Sequence, residues 1–212
     1  MTTSFVLTYD SLTETVLQYL ERSDTATREQ IPTFITMCEF EIAQQIKTLG
    51  QLQVAESIME GGNPVIPKPA RWRKTVSFNV VVDGQRQPVL LRKYEYIKNY
   101  SPNSLTEGQP LYYSDYDYEH WFVGPTPDQD YEFEVLYYER LQPLSSANQT
   151  NWLTINAPQL MLYGTLLEAM PFLKNDERIP LWQAMYDRAL QSLKVEDTKR
   201  IVDRQAIAVE NK

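Results

Sequence analysis

The sequence predicts an α+β fold, with a four-helix bundle core of two N-terminal and two C-terminal helices, an inserted antiparallel β domain and a C-terminal tail. Apolar residues recur at helical spacing at both ends of the 212-residue chain, and they alternate with polar residues between those ends. These two patterns place the N-terminal helices in residues 1–50, the β insert in 51–141, the C-terminal helices in 142–194 and the tail in 195–212.

Two helices are predicted before residue 50. Residues 11–14 read Ser-Leu-Thr-Glu, which matches a capping box and predicts the start of the first helix. The second helix is expected to begin at Ile31-Pro32, because proline is tolerated in a first turn, and to end at Gly50. Cys38 lies on the apolar stripe of this helix, so we expect a small buried side chain rather than a nucleophile.

Short strands are predicted in the β insert. Apolar residues alternate from Val76 to Val82, and the following Asp83-Gly84 is a hairpin sequence. Residues 92–100 are also predicted to be a strand. In the last run four side chains are expected to share one face: Tyr131, Phe133, Val135 and Tyr137. Strands this short and this closely spaced predict an antiparallel sheet, folded over or rolled.

The C-terminal helices differ from each other in their polarity. The first is expected to start at Asn156-Ala157-Pro158, and residues 160–170 have almost no polar face. A helix that is apolar on all sides must be covered on all sides. The second has an apolar stripe between Ile179 and Leu193. The charged residues after Lys194 predict either a frayed helix or an extended tail.

The net charge of −8 is concentrated in one segment. Residues 104–139 contain nine acidic residues and no Lys or Arg, whereas residues 68–98 contain eight basic residues and two acidic ones. We call these the acidic segment and the basic segment. They either pair within one sheet and neutralise each other, or form a positive face that docks on the negative face of a neighbouring subunit.

Composition argues against several classes of protein. An acidic chain is a poor binder of nucleic-acid phosphates, and one His with one Cys cannot build a Cys/His zinc site. The chain has neither a G-x-G-x-x-G nor a P-loop sequence. We therefore predict that the protein is not an enzyme and that it has no catalytic residue, no cofactor and no metal ion. The absence of a long apolar run predicts a soluble protein that does not enter a membrane.

A cluster of acidic and aromatic residues needs separate consideration. In an alternating strand Asp115, Asp117 and Glu119 would share one face, where three carboxylates could meet a hard cation. Tyrosine rings nearby could stack on sugars, so the alternative function is a glycan-binding β module or a two-carboxylate glycosidase. A solvated acidic edge, or an interface between subunits, is the commoner use of such residues.

The C-terminal half resembles the head-to-tail adaptor proteins of tailed bacteriophages, also called head-completion or connector proteins, of which tail tubular protein A is a relative. The matching residues are Asn156-Ala157-Pro158, Leu162-Tyr163-Gly164, Leu167-Glu168-Ala169, Pro171-Phe172-Leu173, Asp176-Glu177-Arg178, Trp182 and Tyr186. Upstream, similar stretches occur at residues 31–35, 108–113 and 125–128.

The resemblance implies a structural virion protein without enzymatic activity. It would form a ring of about twelve subunits, with the portal protein above and the nozzle or tail tube protein below. DNA would pass through the ring during genome ejection without specific binding. The protein would be made in the host bacterial cytoplasm and reside in the neck of the virion. If the alternative function applies, the glycan-binding module or glycosidase would belong to a phage tail.

Two sets of residues are the candidate sites under this resemblance. The tail is expected to bind the portal through Val195, Ile201, Val202, Ile207 and Val209. The subunit interface or the channel is expected to contain Asp115, Asp117, Glu119, Tyr112, Tyr113, Tyr116, Arg71, Arg73 and Lys74. We also expect the acidic strands to line the channel, because like charge keeps the DNA duplex from adhering to the wall.

Overall fold

A computed structural model describes residues 6–46, 49–103, 105–173 and 177–210, with side chains described for all of these except residues 49 and 197–210. The chain divides into two compact units. The helical unit comprises Met1–Gln51 together with Leu141–Lys212, and the β unit comprises Leu52–Arg140.

Six helices and eight strands are present in the described residues. The helices are α1 Tyr9–Leu20, α2 Thr25–Gln45, α3 Tyr94–Tyr100, α4 Trp152–Asn156, α5 Pro158–Leu173 and α6 Ile179–Glu210. The strands are β1 Leu52–Met59, β2 Val65–Pro67, β3 Trp72–Val82, β4 Gln85–Pro88, β5 Leu90–Leu91, β6 Tyr112–Asp115, β7 His120–Gly124 and β8 Tyr131–Glu139.

The helical unit is organised around α5, which packs against α1, α2, α4 and α6. Seven of the sixteen residues of α5 are buried, as expected for a helix without a polar face. The predicted four-helix bundle core of two N-terminal and two C-terminal helices is therefore wrong. An apolar helix needs neighbours on every side, and here they are four helices around one rather than two pairs.

Both N-terminal helices begin earlier than predicted, because stronger caps lie upstream. Thr8 caps α1: the Ser11 N–H donates to Thr8 Oγ1 at 3.1 Å, and the Thr8 N–H donates to Ser11 Oγ at 2.8 Å. Asp24 caps α2 by accepting the Thr27 N–H at 2.8 Å, which leaves Pro32 inside the helix. The capping box predicted at residues 11–14 and the start predicted at Ile31-Pro32 are thus wrong.

The end of α2 also differs from the prediction. The helix stops at Gln45 with Ile46 as its C-cap, and Gly50 lies instead in a 3-10 turn, Leu49–Gln51. A Cβ on Gly50 would overlap the indole ring of Trp152. This glycine therefore permits close packing of a ring rather than ending a helix. Cys38 is buried in the core, which confirms its prediction.

The β unit contains two four-stranded sheets. Sheet 1 has the order β1-β8-β3-β4, and sheet 2 has the order β2-β7-β6-β5. Their inner faces meet around Phe78 of sheet 1, whose ring lies 5.1 Å from that of Tyr113 and 5.3 Å from that of Trp121, both in sheet 2. The prediction of one antiparallel sheet is wrong, because there are two sheets and β5 pairs with β6 in parallel.

Two local predictions in the β unit are confirmed. Asp83 and Gly84 both have positive φ, 50° and 75°, and join β3 to β4 as a tight hairpin. The side chains of Tyr131, Phe133, Val135 and Tyr137 are all buried on the inner face of β8. The intervening side chains of β8 therefore form part of the outer face of sheet 1.

The strand predicted over residues 92–100 is wrong, because residues 94–100 form helix α3. This helix packs on the outer face of sheet 2, where the Tyr94 ring lies 5.2 Å from Phe122. Ile97 is buried against Gly124, and a Cβ at Gly124 would overlap its side chain. The alternation of aromatic residues in this stretch is compatible with a strand, and the space above Gly124 favours the helix.

Candidate interaction surfaces

Ion pairs in the β unit join the basic segment to the acidic segment. Arg71 Nη2 lies 2.6 Å from Glu139 Oε1, and Arg86 Nη2 lies 2.7 Å from Glu134 Oε2. Lys68 Nζ lies 2.9 Å from Asp115 Oδ1. The strands β3 and β8 are direct neighbours, so residues that are distant in sequence meet across the sheet. Part of the charge asymmetry is therefore neutralised within one β unit.

The most buried of these pairs involves Lys68, which follows β2. Its side chain is 2% exposed, whereas that of Asp115 is 53% exposed. The ammonium group also donates to the backbone carbonyl of Asp117 at 2.8 Å and lies 3.6 Å from the centre of the Trp72 ring. Lys68 thus ties the turn after β6 to the start of β3, and Asp115 acts as its ion-pair partner.

The three carboxylates predicted to share a strand face do not do so. Asp115 ends β6, while Asp117 and Glu119 lie in the turn between β6 and β7. Asp117 Oδ1 accepts the backbone N–H groups of Glu119 and His120, both at 2.7 Å, and lies 3.0 Å from His120 Nδ1. Within the described residues, no group of three or more metal-ligating side chains could hold an ion.

The charge state of Asp117 follows from these contacts. Lost hydration works against ionisation, but the hydrogen bonds from Glu119 and His120 hold the pKa of the Asp117 carboxyl below its ordinary value. The carboxylate is therefore a cap for its own turn. This structural role is enough to explain why an aspartate is at position 117, and no substrate is needed to explain it.

The candidate tyrosines point to different sides of sheet 2. Tyr113 lies in the core, where burial and the nearby Asp115 charge raise its pKa to about 12. Tyr112 lies on the outer face, with its ring 5.4 Å from Tyr96 and 4.9 Å from Tyr100 of α3. Tyr116, in the turn, contacts Tyr94 at 5.6 Å and Phe122 at 5.9 Å.

Three basic candidates lie at the start of β3. Arg71 has a positive φ of 60° and pairs with Glu139. Arg73 is half-buried, and burial together with the nearby Arg140 lowers its pKa from the ordinary value. Lys74 is exposed. The three residues are thus on or near one end of sheet 1, and Arg71 is already engaged within the β unit.

The C-terminal tail continues as helix α6, which runs to Glu210 without a break. Leu193 belongs to the core, and Val195 is exposed. The backbone at Ile201, Val202, Ile207 and Val209 is helical, but their side chains lie outside the described part of the chain. The C-terminal segment is therefore a helix and not an extended tail.

Two surface features escaped the sequence analysis. One is the aromatic face of α3, which residues 92–100 could have signalled by the four-residue spacing of Tyr96 and Tyr100. The other is a group of carboxylates on the outer face of sheet 1: Glu56, Glu132 and Glu134. Glu56 belongs to β1, so only the pairing of β1 with β8 brings it to the other two.

In the helical unit a half-buried carboxylate positions the loop before α4. Glu39 of α2 accepts the Asn151 side-chain amide at 2.6 Å and the Leu144 backbone N–H at 3.2 Å. Burial raises the pKa of Glu39 to about 7, although both hydrogen bonds act in the opposite direction. Asn151 also caps α4, so Glu39 links the end of the loop to a helix start.

A comparison with known protein families gives a match. The family model described as SU10 adaptor protein matches residues 7–208, and no curated protein matches the chain in sequence. Among the described residues, no helix has the length and apolarity needed to cross a membrane. The matched family comprises structural phage head-tail adaptors, which associate with other head and tail proteins in the virion. Since the match covers both units and nearly all of α6, this chain belongs to the SU10 adaptor protein family.

Proposed function

We propose that the protein forms a closed ring of about twelve subunits between the portal and the tail nozzle or tail tube protein, around the channel through which DNA leaves the head. The observation that supports this proposal is the family match over residues 7–208, because it includes the helical unit, the β unit and α6 together. The whole chain therefore has the organisation of an adaptor.

Helix α6 is the part that we assign to the portal. At about 1.5 Å per residue, the helix continues for roughly 25 Å between Leu193 and Glu210. Val195 is exposed at the start of this extension. An exposed apolar side chain on a helix is suited to binding a groove on another protein.

The charge of the protein suits a DNA conduit. The net charge is −8, and the basic residues Lys68, Arg71 and Arg86 are paired with carboxylates inside the β unit. Phosphate binding requires basic side chains that can approach the DNA. Pairing of these three reduces the attraction that would hold the DNA during genome ejection.

The glycan-binding alternative lacks a supporting observation. A retaining or inverting glycosidase needs two carboxyl groups that face a substrate. Asp115 is paired with Lys68, and Asp117 caps its own turn. Both therefore have local structural roles, and Glu119 by itself does not form such a pair.

The proposal is tested by mixing the purified protein with the portal ring of the same phage. We expect the full-length chain to add one ring per portal, visible by cryo-electron microscopy and countable by native mass spectrometry. A chain ending at Lys194 should keep its helical circular dichroism and bind at least about tenfold more weakly.

A matched pair of full-length variants separates apolar docking from chain length. Replacement of Val195, Ile201 and Val202 by Ser should weaken portal binding, whereas replacement of Gln191 and Ser192 by Ala should not. Undiminished binding of the shortened chain would contradict the role of α6. Absence of portal binding by the native chain, with retention on polysaccharide, would favour the glycan alternative.

A further inference from the structure

The β unit has three layers, and its two outermost surfaces differ in charge. Sheet 1 is the first layer, sheet 2 the second and α3 the third, since Phe78 packs between the sheets and Tyr94 packs on the far face of sheet 2. The outer face of sheet 1 and the outer face of α3 are therefore on opposite sides of the unit.

The outer face of sheet 1 has an excess of negative charge. Glu56 lies directly opposite Glu134 in the β1–β8 register, and Glu132 lies two residues from Glu134 on the same face. Arg86 binds Glu134 at 2.7 Å, so the three carboxylates are matched by one guanidinium. Like charges directly opposite each other destabilise an isolated sheet. An external positive partner would remove that penalty.

Apolar side chains lie beside these carboxylates. Val54 and Ile58 of β1 alternate with Glu56 on the same face and are 56% and 59% exposed. The outer face of sheet 1 thus combines negative charge with an aliphatic surface that water covers in the isolated chain. We call this surface, made of Val54, Glu56, Ile58 and Glu132, the acidic face.

The outer surface of α3 has the complementary character. Arg92 and Lys93 are exposed at the start of the helix, and the Arg92 guanidinium lies 5.7 Å from the centres of the Tyr96 and Tyr112 rings. Tyr96 and Tyr100 are 44% and 47% exposed, and their rings stack 6.5 Å apart. Tyrosine and arginine are enriched at protein interfaces. We call this surface, made of Arg92, Lys93, Tyr96 and Tyr100, the basic face. Lys98 lies on the other flank of the helix, 4.6 Å from the Phe122 ring.

We propose that the acidic face of one copy binds the basic face of the next copy of this chain. Carboxylates meet ammonium and guanidinium groups, while the aliphatic side chains of β1 meet the tyrosine rings of α3. Because the contact joins two different surfaces, it repeats from copy to copy in one direction and can close into a ring. This inference rests on the proposed ring and identifies the surfaces that build it.

Charge reversal on each face tests the contact. One variant combines E56K with E132K, and the other combines R92E with K93E. Each face then repels its own partner, so either variant alone should associate at least about tenfold more weakly than the native chain. An equimolar mixture of the two variants should recover assembly, because the reversed faces attract each other and the unchanged faces also match.

The controls change the same amount of charge elsewhere. E29K with E41K matches the first variant, and R22E with R188E matches the second; all four residues are exposed. Both controls should assemble as the native chain does. Assembly is measured by sedimentation velocity for the chain alone and by native mass spectrometry on its portal, and circular dichroism confirms that each variant is folded.

Zero-length carboxyl-to-amine cross-linking gives a direct readout. In a mixture of isotope-labelled and unlabelled native chains, we expect cross-links between copies that join Glu56 or Glu132 to Lys93. A ring that forms normally in both reversal variants, without these cross-links, overturns the contact and leaves the proposed function intact. A native chain that makes no ring, alone or on its portal, contradicts both.

Discussion

The helical unit and the β unit use different side chains to build their cores. The core of the helical unit is largely aliphatic and surrounds α5, and a glycine, Gly164, allows its neighbours to approach. The core of the β unit is rich in aromatic rings, and ion pairs such as Lys68–Asp115 surround it. Local periodicity thus accounts for the core residues of the helical unit, whereas pairing between distant strands accounts for those of the β unit.

The largest expected effect is the loss of the central ring of the β unit. Phe78→Ala should lower the free energy of unfolding by about 3–5 kcal/mol, because Phe78 contacts Tyr113, Trp121 and Phe133. Urea titration followed by near-ultraviolet circular dichroism measures the change in aromatic packing. The matched variant Ile35→Ala, in the helical core, should instead shift the helical signal at 222 nm. Identical responses of both signals in the two variants would contradict separate cores.

The second effect concerns close packing in the helical unit. Replacement of glycine by alanine inside a helix normally stabilises it by about 1 kcal/mol. Gly164→Ala should instead destabilise the protein by about 1–3 kcal/mol, because the new Cβ would lie 2.5 Å from Cys38 Sγ and 3.1 Å from Tyr186 Cε2. Thermal unfolding measures the sign directly.

The control for this variant is in the β unit. A Cβ on Gly108 would have its nearest neighbour, Pro125 Cβ, at 3.9 Å, so Gly108→Ala should change stability by less than about 0.5 kcal/mol. A gain in stability from Gly164→Ala would mean that α2 and α6 move apart easily at this position.

The third effect compares ion pairs of the two units. Lys68→Met should lower the free energy of unfolding by about 1–2 kcal/mol, because it removes a buried donor from Asp115 and from the Asp117 carbonyl. Arg28→Gln breaks the Arg28–Glu14 pair of the helical unit, in which both side chains are about half exposed. This variant should change the free energy of unfolding by less than about 0.5 kcal/mol. Chemical denaturation of both variants tests this difference, and equal losses would contradict it.

The smallest expected effect is a pH dependence of the helical unit. The pKa of Glu39 is raised to about 7, so the folded state holds a proton that the unfolded state releases above its ordinary pKa of 4.5. The resulting stability is fully present below pH 4.5 and is lost as pH rises through about 7. In the Glu39→Gln variant, the decrease in the free energy of unfolding between pH 4.5 and 7 should be smaller by about 1 kcal/mol. The reason is that an amide oxygen accepts the same two hydrogen bonds without titrating.

The measurement is a difference between two denaturation series at several pH values. The exposed neighbour Glu41→Gln serves as the control and should leave the pH profile of the native protein unchanged. Parallel profiles for the native chain and Glu39→Gln would show that Glu39 is solvated more fully than its contacts suggest.

Several elements could be predicted from local patterns alone. The burial of Cys38, the apolar character of α5 and the Asp83-Gly84 hairpin depend on residues within a few positions of each other. The starts of α1 and α2 are harder to predict, because Thr8 and Asp24 are better caps than Ser11 and the residues before Pro32. The strand predicted over residues 92–100 failed because its alternating tyrosines also suit a short helix above Gly124.

In the candidate sites, too, local features could be predicted from sequence and contacts between distant residues could not. Residues 104–139 were identified as acidic and rich in tyrosine from sequence alone. Their separation into a core tyrosine, Tyr113, an outer tyrosine, Tyr112, and a carboxylate that caps a turn, Asp117, depends on the strand register. The acidic face could not be predicted, because Glu56 and Glu134 are 78 residues apart and meet only through the pairing of β1 with β8.

The amino-acid sequence is enough to predict the α+β character of this protein, its resemblance to phage adaptors and the position of its charge. Each of these depends on composition, on local periodicity or on contiguous motifs. Three features are visible only in the folded chain: α5 is surrounded by four helices, the strands form two sheets, and opposite charges lie on opposite sides of the β unit. Those features depend on contacts between residues far apart in the chain, which local patterns do not encode.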